Sequence, residues 1–381
     1  MRTLSAQQRR LASLAQSLRA AIVVPSLFAL GLLVAGQPQL AGFAVFGTFA
    51  HLVMVDYEPA GRARSVQCAM LTVLGVITVA LGALASANAW LAVAGAFAAG
   101  FVTELMPLAG ARMAALRTAL LLSFMLAAAV PAPASAVFPY VAGWLLAGIV
   151  AQPALLLIWM PLFGGGAAEE NTASHQSIAK SGAPVRASAW AGNAVGCGVA
   201  LALAVLLARL LKADHAFWIV LGVLPVLSVQ AGSAARKFWQ EQAGTLIGFL
   251  VGALVVTAVG TQQTWYWLIL PFVVFGSAYA AGAIGFMAGQ AAFTVFVVVL
   301  FCILLPQQGQ VGILRVEDIA MGGAVSLLVS LVRRLGVWST YRASTQYRCG
   351  RRCRNAMSAD CGSGRRHQTH ATGIQKPGKF R

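Results

Sequence analysis

The chain has 381 residues, of which 59% are hydrophobic and only 10% charged, with a mean hydropathy of +0.78, whereas soluble proteins carry about 25% charged residues. Its 27 basic and 10 acidic side chains are too few to cover a 39.7 kDa globule in water. These values exclude soluble, disordered, collagen-like and disulfide-framework classes and leave an all-α polytopic membrane protein. The net charge of +17 divides unevenly, since the segment from Trp338 onward holds ten basic residues and one acid. The rest carries 17 basic and nine acidic residues, which is ordinary for a membrane protein with basic cytoplasmic loops and points to no nucleic-acid partner.

A bilayer core about 30 Å thick needs about 20 apolar residues of helix. On that rule the first half holds spans near 20–36, 39–55, 66–86, 89–106, 113–131 and 137–160. The second half holds spans near 189–211, 215–230, 243–260, 264–281, 286–306 and 317–336, which makes about twelve in two six-helix repeats. The implied organisation is a first repeat over 1–163, a polar cytoplasmic linker over 164–188, a second repeat over 189–337 and a basic disordered tail over 338–381. Met1–Ala35 has the basic start and apolar run of a signal peptide, but the following GQPQL offers no small-x-small cleavage site, so the segment is read as the first span.

Basic residues test the topology. With the N-terminus inside, Arg2, Arg9, Arg10, Arg19, Arg62, Arg64, Arg112, Arg117, Lys180, Arg186, Arg236, Lys237, Arg333 and Arg334 are cytoplasmic, and only Arg209, Lys212 and Arg315 are external. That bias predicts both termini on the cytoplasmic side of a bacterial inner membrane. Internal similarity points to duplication: Thr48–Gln67 corresponds to Val223–Gln242 at an offset of 175, and Ala111–Leu126 to Gly285–Leu300 at an offset of 174. Units of six spans keep the same orientation and are related by an axis along the membrane normal.

Within the spans, Gly244, Gly248 and Gly252 fall four apart on one face, as do Gly192 and Gly196, a spacing suited to close helix contact. Trp90, Trp144, Trp159, Trp218, Trp265, Trp267, Tyr140 and Tyr266 lie near span ends and read as an interfacial belt. Cys68, Cys197 and Cys302, in or beside apolar segments, read as small packing residues. The ionisable minority carries the functional signal. Asp56 and Glu58 follow the second span, Glu104 ends the fourth, and Arg112 and Arg117 open the fifth. Glu241 begins the ninth span after Arg236 and Lys237, and Asp214 and His215 stand at the external mouth of the eighth. A charge at membrane depth is costly unless paired or hydrated, which makes Arg117 the leading candidate to face an aqueous cavity.

No GxxxxGK[ST] phosphate loop and no HExxH helix is present, so neither an ATP motor nor an enzyme is expected. Cys349, Cys353, Cys361, His367 and His370 in the tail lack paired CxxC spacing, so no metal or other cofactor is expected there. The tail composition is what a reading-frame slip in a GC-rich gene would produce; as a genuine segment it would lie on anionic lipid.

The second half resembles a known family. Asp214–Gly252 reads DHAFWIVLGVLPVLSVQAGSAARKFWQEQAGTLIGFLVG, with His215 before Phe217 and Trp218, Gln230 ending the short span, Gly232, Ser233 and Arg236 in the loop, and Gly244-Thr245-Leu246-Ile247-Gly248 opening the next helix. Together with Arg315–Gly322 (RVEDIAMG), this resembles the fusaric acid resistance protein-like family of bacterial aromatic acid exporters. The resemblance implies a two-repeat transporter, and its plant relatives imply an organic-anion channel as the alternative. The large cytoplasmic domain that many members insert between repeats is replaced here by about 25 polar residues. The expected function is secondary export of organic, aromatic carboxylic compounds, coupled to protons; a passive anion channel or a structural membrane protein is the alternative. Arg117, Arg112 and Arg236 are the expected anion contacts, Glu104 or Glu241 the proton carrier, and His215 and Gln230 further transport residues. The expected partners are the lipid bilayer and a small organic anion, with a homodimer and a periplasmic adaptor protein compatible with the sequence.

Overall fold

The computed structural model describes residues 6–58, 61–129, 131–157, 187–210, 234–260 and 262–304, with Val325. Among them every regular element is helical. The chain crosses and recrosses as α1 (Ala6–Ala29), α2 (Pro38–Phe49), α3 (Gly61–Ser86), α4 (Ala89–Leu105), α5 (Ala111–Ala129) and α6 (Val137–Leu157), then α7 (Ala187–Leu210), α8 (Ala234–Val259), α9 (Gln263–Tyr279) and α10 (Phe286–Leu304). Wider π turns extend α1 (Leu30–Val34), α2 (Ala50–Met54) and α9 (Ala280–Ile284), and a 3₁₀ turn extends α4 (Met106–Ala109). Eight of these segments are long and apolar enough to cross a membrane, and Pro38–Met54 and Ala194–Leu210 are shorter apolar helices. They coincide with ten of the spans read from the sequence. The spans expected at 215–230 and 317–336, the tail over 338–381 and most of the 164–188 linker lie outside the described residues. The described residues all fall within one compact unit.

Three consecutive helices recur with equal length. α3 and α8 have 26 residues each, α4 and α9 have 17, and α5 and α10 have 19. Each third member begins after a glycine in the left-handed region, Gly110 (φ 116°) and Gly285 (φ 141°), a conformation that side chains avoid. In both sets the first helix packs on the third. Contacts between the halves are exchanged: α4 lies against α7, and α9 lies against α1.

Where lipid supplies no hydrophobic drive, helices associate through close backbone approach. Gly244 and Gly248 of α8 lie on the Met287 and Ala291 carbonyls of α10, and Gly252 meets Val298. In α7 the close contact is made by Gly198, against Phe97 and Gly100 of α4, while Gly192 of the expected pair faces open space. The aromatic belt is also narrower than the sequence suggests. Trp90 and Trp265 are exposed, but Trp144, Tyr140 and Tyr266 are buried, with Trp144 wedged against Gly47 and Gly75.

Arg209, one of the few basic residues expected on the external side, donates from Nη2 to the carbonyls of Ser86 and Ala128, both at 2.9 Å. These are C-terminal carbonyls of α3 and α5, groups left without helix partners and carrying the negative end of the dipole. The cation therefore ties three helix ends together. Replacing Gly248 by Ala should lower stability by about 1–3 kcal/mol, because the added methyl runs into the Ala291 carbonyl. Gly276→Ala, which meets open space, should leave the melting temperature in detergent unchanged.

Candidate functional site

Between the two sets of helices lies a cavity of about 570 Å³, with walls from α2, α4, α5, α6, α7, α9 and α10. Its apolar side is aromatic. Phe49 of α2 stands 5.4 Å from Phe293 and 5.9 Å from Phe296 of α10, and Phe46 and Phe286 continue the wall. The π turn that ends α2 supplies Ala50, Val53 and Met54 to the same wall. Its displaced carbonyls do not go unmet, because Gln16 of α1 donates from Nε2 to Leu52 (3.2 Å) and Val53 (2.9 Å).

Other lining residues are polar. Glu104 sits in the last turn of α4, after which the 3₁₀ turn and Gly110 reverse the chain into α5. That reversal brings Arg117 alongside, its Nη1 3.7 Å from Glu104 Oε1, with the side chains 35% and 24% exposed. Thr103, Thr118 and Ser123 add hydroxyls to this wall. Arg112, five residues earlier, behaves differently. Its Nε and Nη2 donate to Glu58 Oε1 (2.6 Å) and Oε2 (3.2 Å), a forked pair at the helix end that clamps α5 to the loop after α2. Arg112 is not among the residues lining the cavity.

On the α8–α10 side, Glu241 is 1% exposed and accepts a hydrogen bond at 3.4 Å from Nε2 of Gln290, which itself lines the cavity. Thr245, one helical turn further along α8, is fully buried. Ser277 of α9 presents a buried hydroxyl to the same cavity. Arg236 is exposed near the start of α8. His215 and Gln230 lie outside the described residues. No cluster of metal-ligating side chains occurs among the described residues.

Sequence reading passed over one supporting residue and placed another in the interfacial belt. His51, fully buried in the π turn of α2, donates from Nδ1 to the Gly47 carbonyl (2.7 Å), which leaves Nε2 facing the Thr72 hydroxyl at 3.1 Å. Trp144 of α6, the residue expected in the belt, lies 5.4 Å from the His51 ring and lines the cavity. Neither shows a periodicity that separates it from ordinary span residues; only the buried ring nitrogens of His51, a rare group in an apolar run, could have flagged it.

The landmarks of the second half have a counterpart among known families. Residues 201–329 match the fusaric acid resistance protein-like family model. The match spans α8, α9 and α10, which supply the Glu241–Gln290 side of the cavity, and its range also includes His215, Gln230 and Arg315. No curated protein and no solved structure matches the chain significantly. The family match and the run of apolar helices support a multi-pass membrane protein concerned with transport.

If the cavity is reached by water, a thiol introduced at its polar wall will react. With the six native cysteines replaced by alanine, Thr118→Cys should be modified readily by a membrane-impermeant thiol reagent. Leu116→Cys, at a fully buried position, should not.

Proposed function

We propose that this protein is a secondary exporter of organic carboxylates with an aromatic body, working in a bacterial inner membrane with both chain ends in the cytoplasm. The observation that carries the reading is the composition of the cavity: the phenylalanines Phe49 and Phe293 and the guanidinium-bearing Arg117 line one space of about 570 Å³. Small-molecule sites occupy about 300–1,000 Å³ and combine apolar walls with a few placed polar groups. A planar ring fits the Phe wall, and a carboxylate fits the fork of the guanidinium. The exposed Arg236 would draw anions toward the bundle, and the family match over 201–329 supports export of acids of this kind. Arg112, engaged with Glu58, holds the frame. Glu104 and Glu241 are the two carboxyls placed to carry a coupling proton, the first on the cavity wall and the second behind Gln290.

Inverted membrane vesicles containing the protein should accumulate labelled 1-naphthoate when a proton gradient is imposed and lose it when a protonophore is added. Arg117→Gln should cut the initial rate roughly tenfold or more, the equivalent of one charge-assisted hydrogen bond. Arg112→Gln should retain most of it. Uptake that ignores the gradient would remove the coupling, and unitary currents in planar bilayers would identify a passive anion channel instead.

A further inference from the structure

We infer that Glu104 is a resident counter-ion: in the empty transporter its carboxylate occupies the anion site of Arg117, and the substrate's carboxylate has to displace it. The inference rests on the cavity being a carboxylate site and assigns, within that site, what Glu104 does.

The Glu58–Arg112 and Glu104–Arg117 pairs differ in the way that matters. Glu58 takes Arg112 through two contacts, the shorter of 2.6 Å, and neither residue lines the cavity. Glu104 Oε1 stands 3.7 Å from Arg117 Nη1, beyond hydrogen-bonding distance, and both side chains line the cavity. A guanidinium carries five N–H donors in a flat fork, so a contact this long leaves its donors available to a ligand. An unpaired guanidinium at this depth would be costly, and a loosely held carboxylate neutralises it while no substrate is bound. Loading then becomes an exchange of one carboxylate for another at constant charge on Arg117.

The exchange fixes the sign of any proton coupling through this pair. A proton on Glu104 cancels its hold on Arg117 and so strengthens binding of the substrate anion; by reciprocity the bound anion favours the proton. The groups on helices packed against α4 do not alter this. α5 brings Arg117, with Arg112 already held by Glu58. α7 brings the Cys197 thiol on the cavity wall, with Arg209 bonded to the Ser86 and Ala128 carbonyls. α3 brings Cys68 and two arginines: Arg62 is exposed, while Arg64 bonds the backbone oxygens of Glu58 and Leu155. Proton and anion binding that reinforce each other load on the same side and travel together. Export against an inward proton flow needs the two to exclude each other. Glu104 therefore regulates loading, and the exchanged proton belongs on the other carboxyl, Glu241.

Titration calorimetry on the purified full chain in nanodiscs, with 1-naphthoate and the neutral 1-naphthamide as probes, separates the possibilities. Glu104→Gln should bind naphthoate at least about fivefold tighter than wild type, within the usual range of coupling between two sites. Glu104→Ala should do the same, and Arg117→Gln should bind it more weakly. Naphthamide affinity should be unchanged throughout, which also shows that the variants are folded. Equal or weaker naphthoate binding by both Glu104 variants would overturn the counter-ion role while leaving the carboxylate site standing. Loss of naphthamide binding by both would make Glu104 a structural residue, with the same consequence. Naphthoate binding by no variant at all would overturn the carboxylate site and the counter-ion with it.

Discussion

Helices in lipid gain nothing by burying apolar surface on one another, so this bundle depends on backbones coming close enough for dispersion and weak polar contacts to hold them. The glycines show where that happens. Gly82 rests on the Phe124 carbonyl, Gly248 on the Ala291 carbonyl, and Gly100 of α4 against Gly198 of α7. The first two contacts fix the first helix against the third in each set, and the last joins one half to the other. Because these seams are drawn tight along α3–α5 and α8–α10, the faces of α5 and α10 that look toward each other are left unfilled, and the cavity lies there. Its existence depends on where side chains are missing as much as on where they are present.

The same lack of water makes every polar group in the bundle a commitment. Backbone oxygens released by the π turn of α2 are met by Gln16, those at the ends of α3 and α5 by Arg209, and both ring nitrogens of His51 by partners. Beside these a cation whose nearest carboxylate oxygen is 3.7 Å away is loosely held. Arg117 differs from Arg112 less in charge than in how completely it is used, and this difference in use separates a residue available to a ligand from one that holds the frame.

Much of the architecture was legible because membrane thickness writes itself into sequence: apolar runs of one length mark the spans, and ten of them stand as helices where they were expected. The candidate site was legible in part. Arg117 and Glu104 drew attention as charges inside or beside apolar helices, and they do meet. Arg112 drew the same attention, yet five residues along a helix is a rotation of about 140° from Arg117, enough to move it from the cavity wall to the bundle edge. Trp144 was unreadable in the same sense. An aromatic near a span end anchors to the interface or fills a core with identical local sequence, and here the side-chain gap opposite it at Gly75, on another helix, decides. Gly198 was passed over beside Gly192 because spacing reveals a smooth face without saying which face meets a neighbour.

A scaffold with two similar halves does not have to enclose a symmetrical space. With Gly110 and Gly285 as equivalent starts, Arg117 of α5 falls opposite Ala292 of α10, and Gln290 of α10 opposite Ala115 of α5. Each of these two polar residues thus stands against alanine on the other side. The helices before those starts have diverged too, α4 tightening into a 3₁₀ turn and α9 widening into a π turn. Changing the winding in the last turn rotates the next helix, so the two sides present different residues to one cavity from helices of equal length. Under the proposed exchange of an anion for a proton, the divergence would give the two carboxyls different surroundings. The cation and its carboxylate on α5 and α4 line the cavity themselves, while Glu241 of α8 accepts a hydrogen bond from an amide of α10 that lines it. Divergence between the halves is in that sense the functional content of the fold, and their likeness is what keeps the cavity between them.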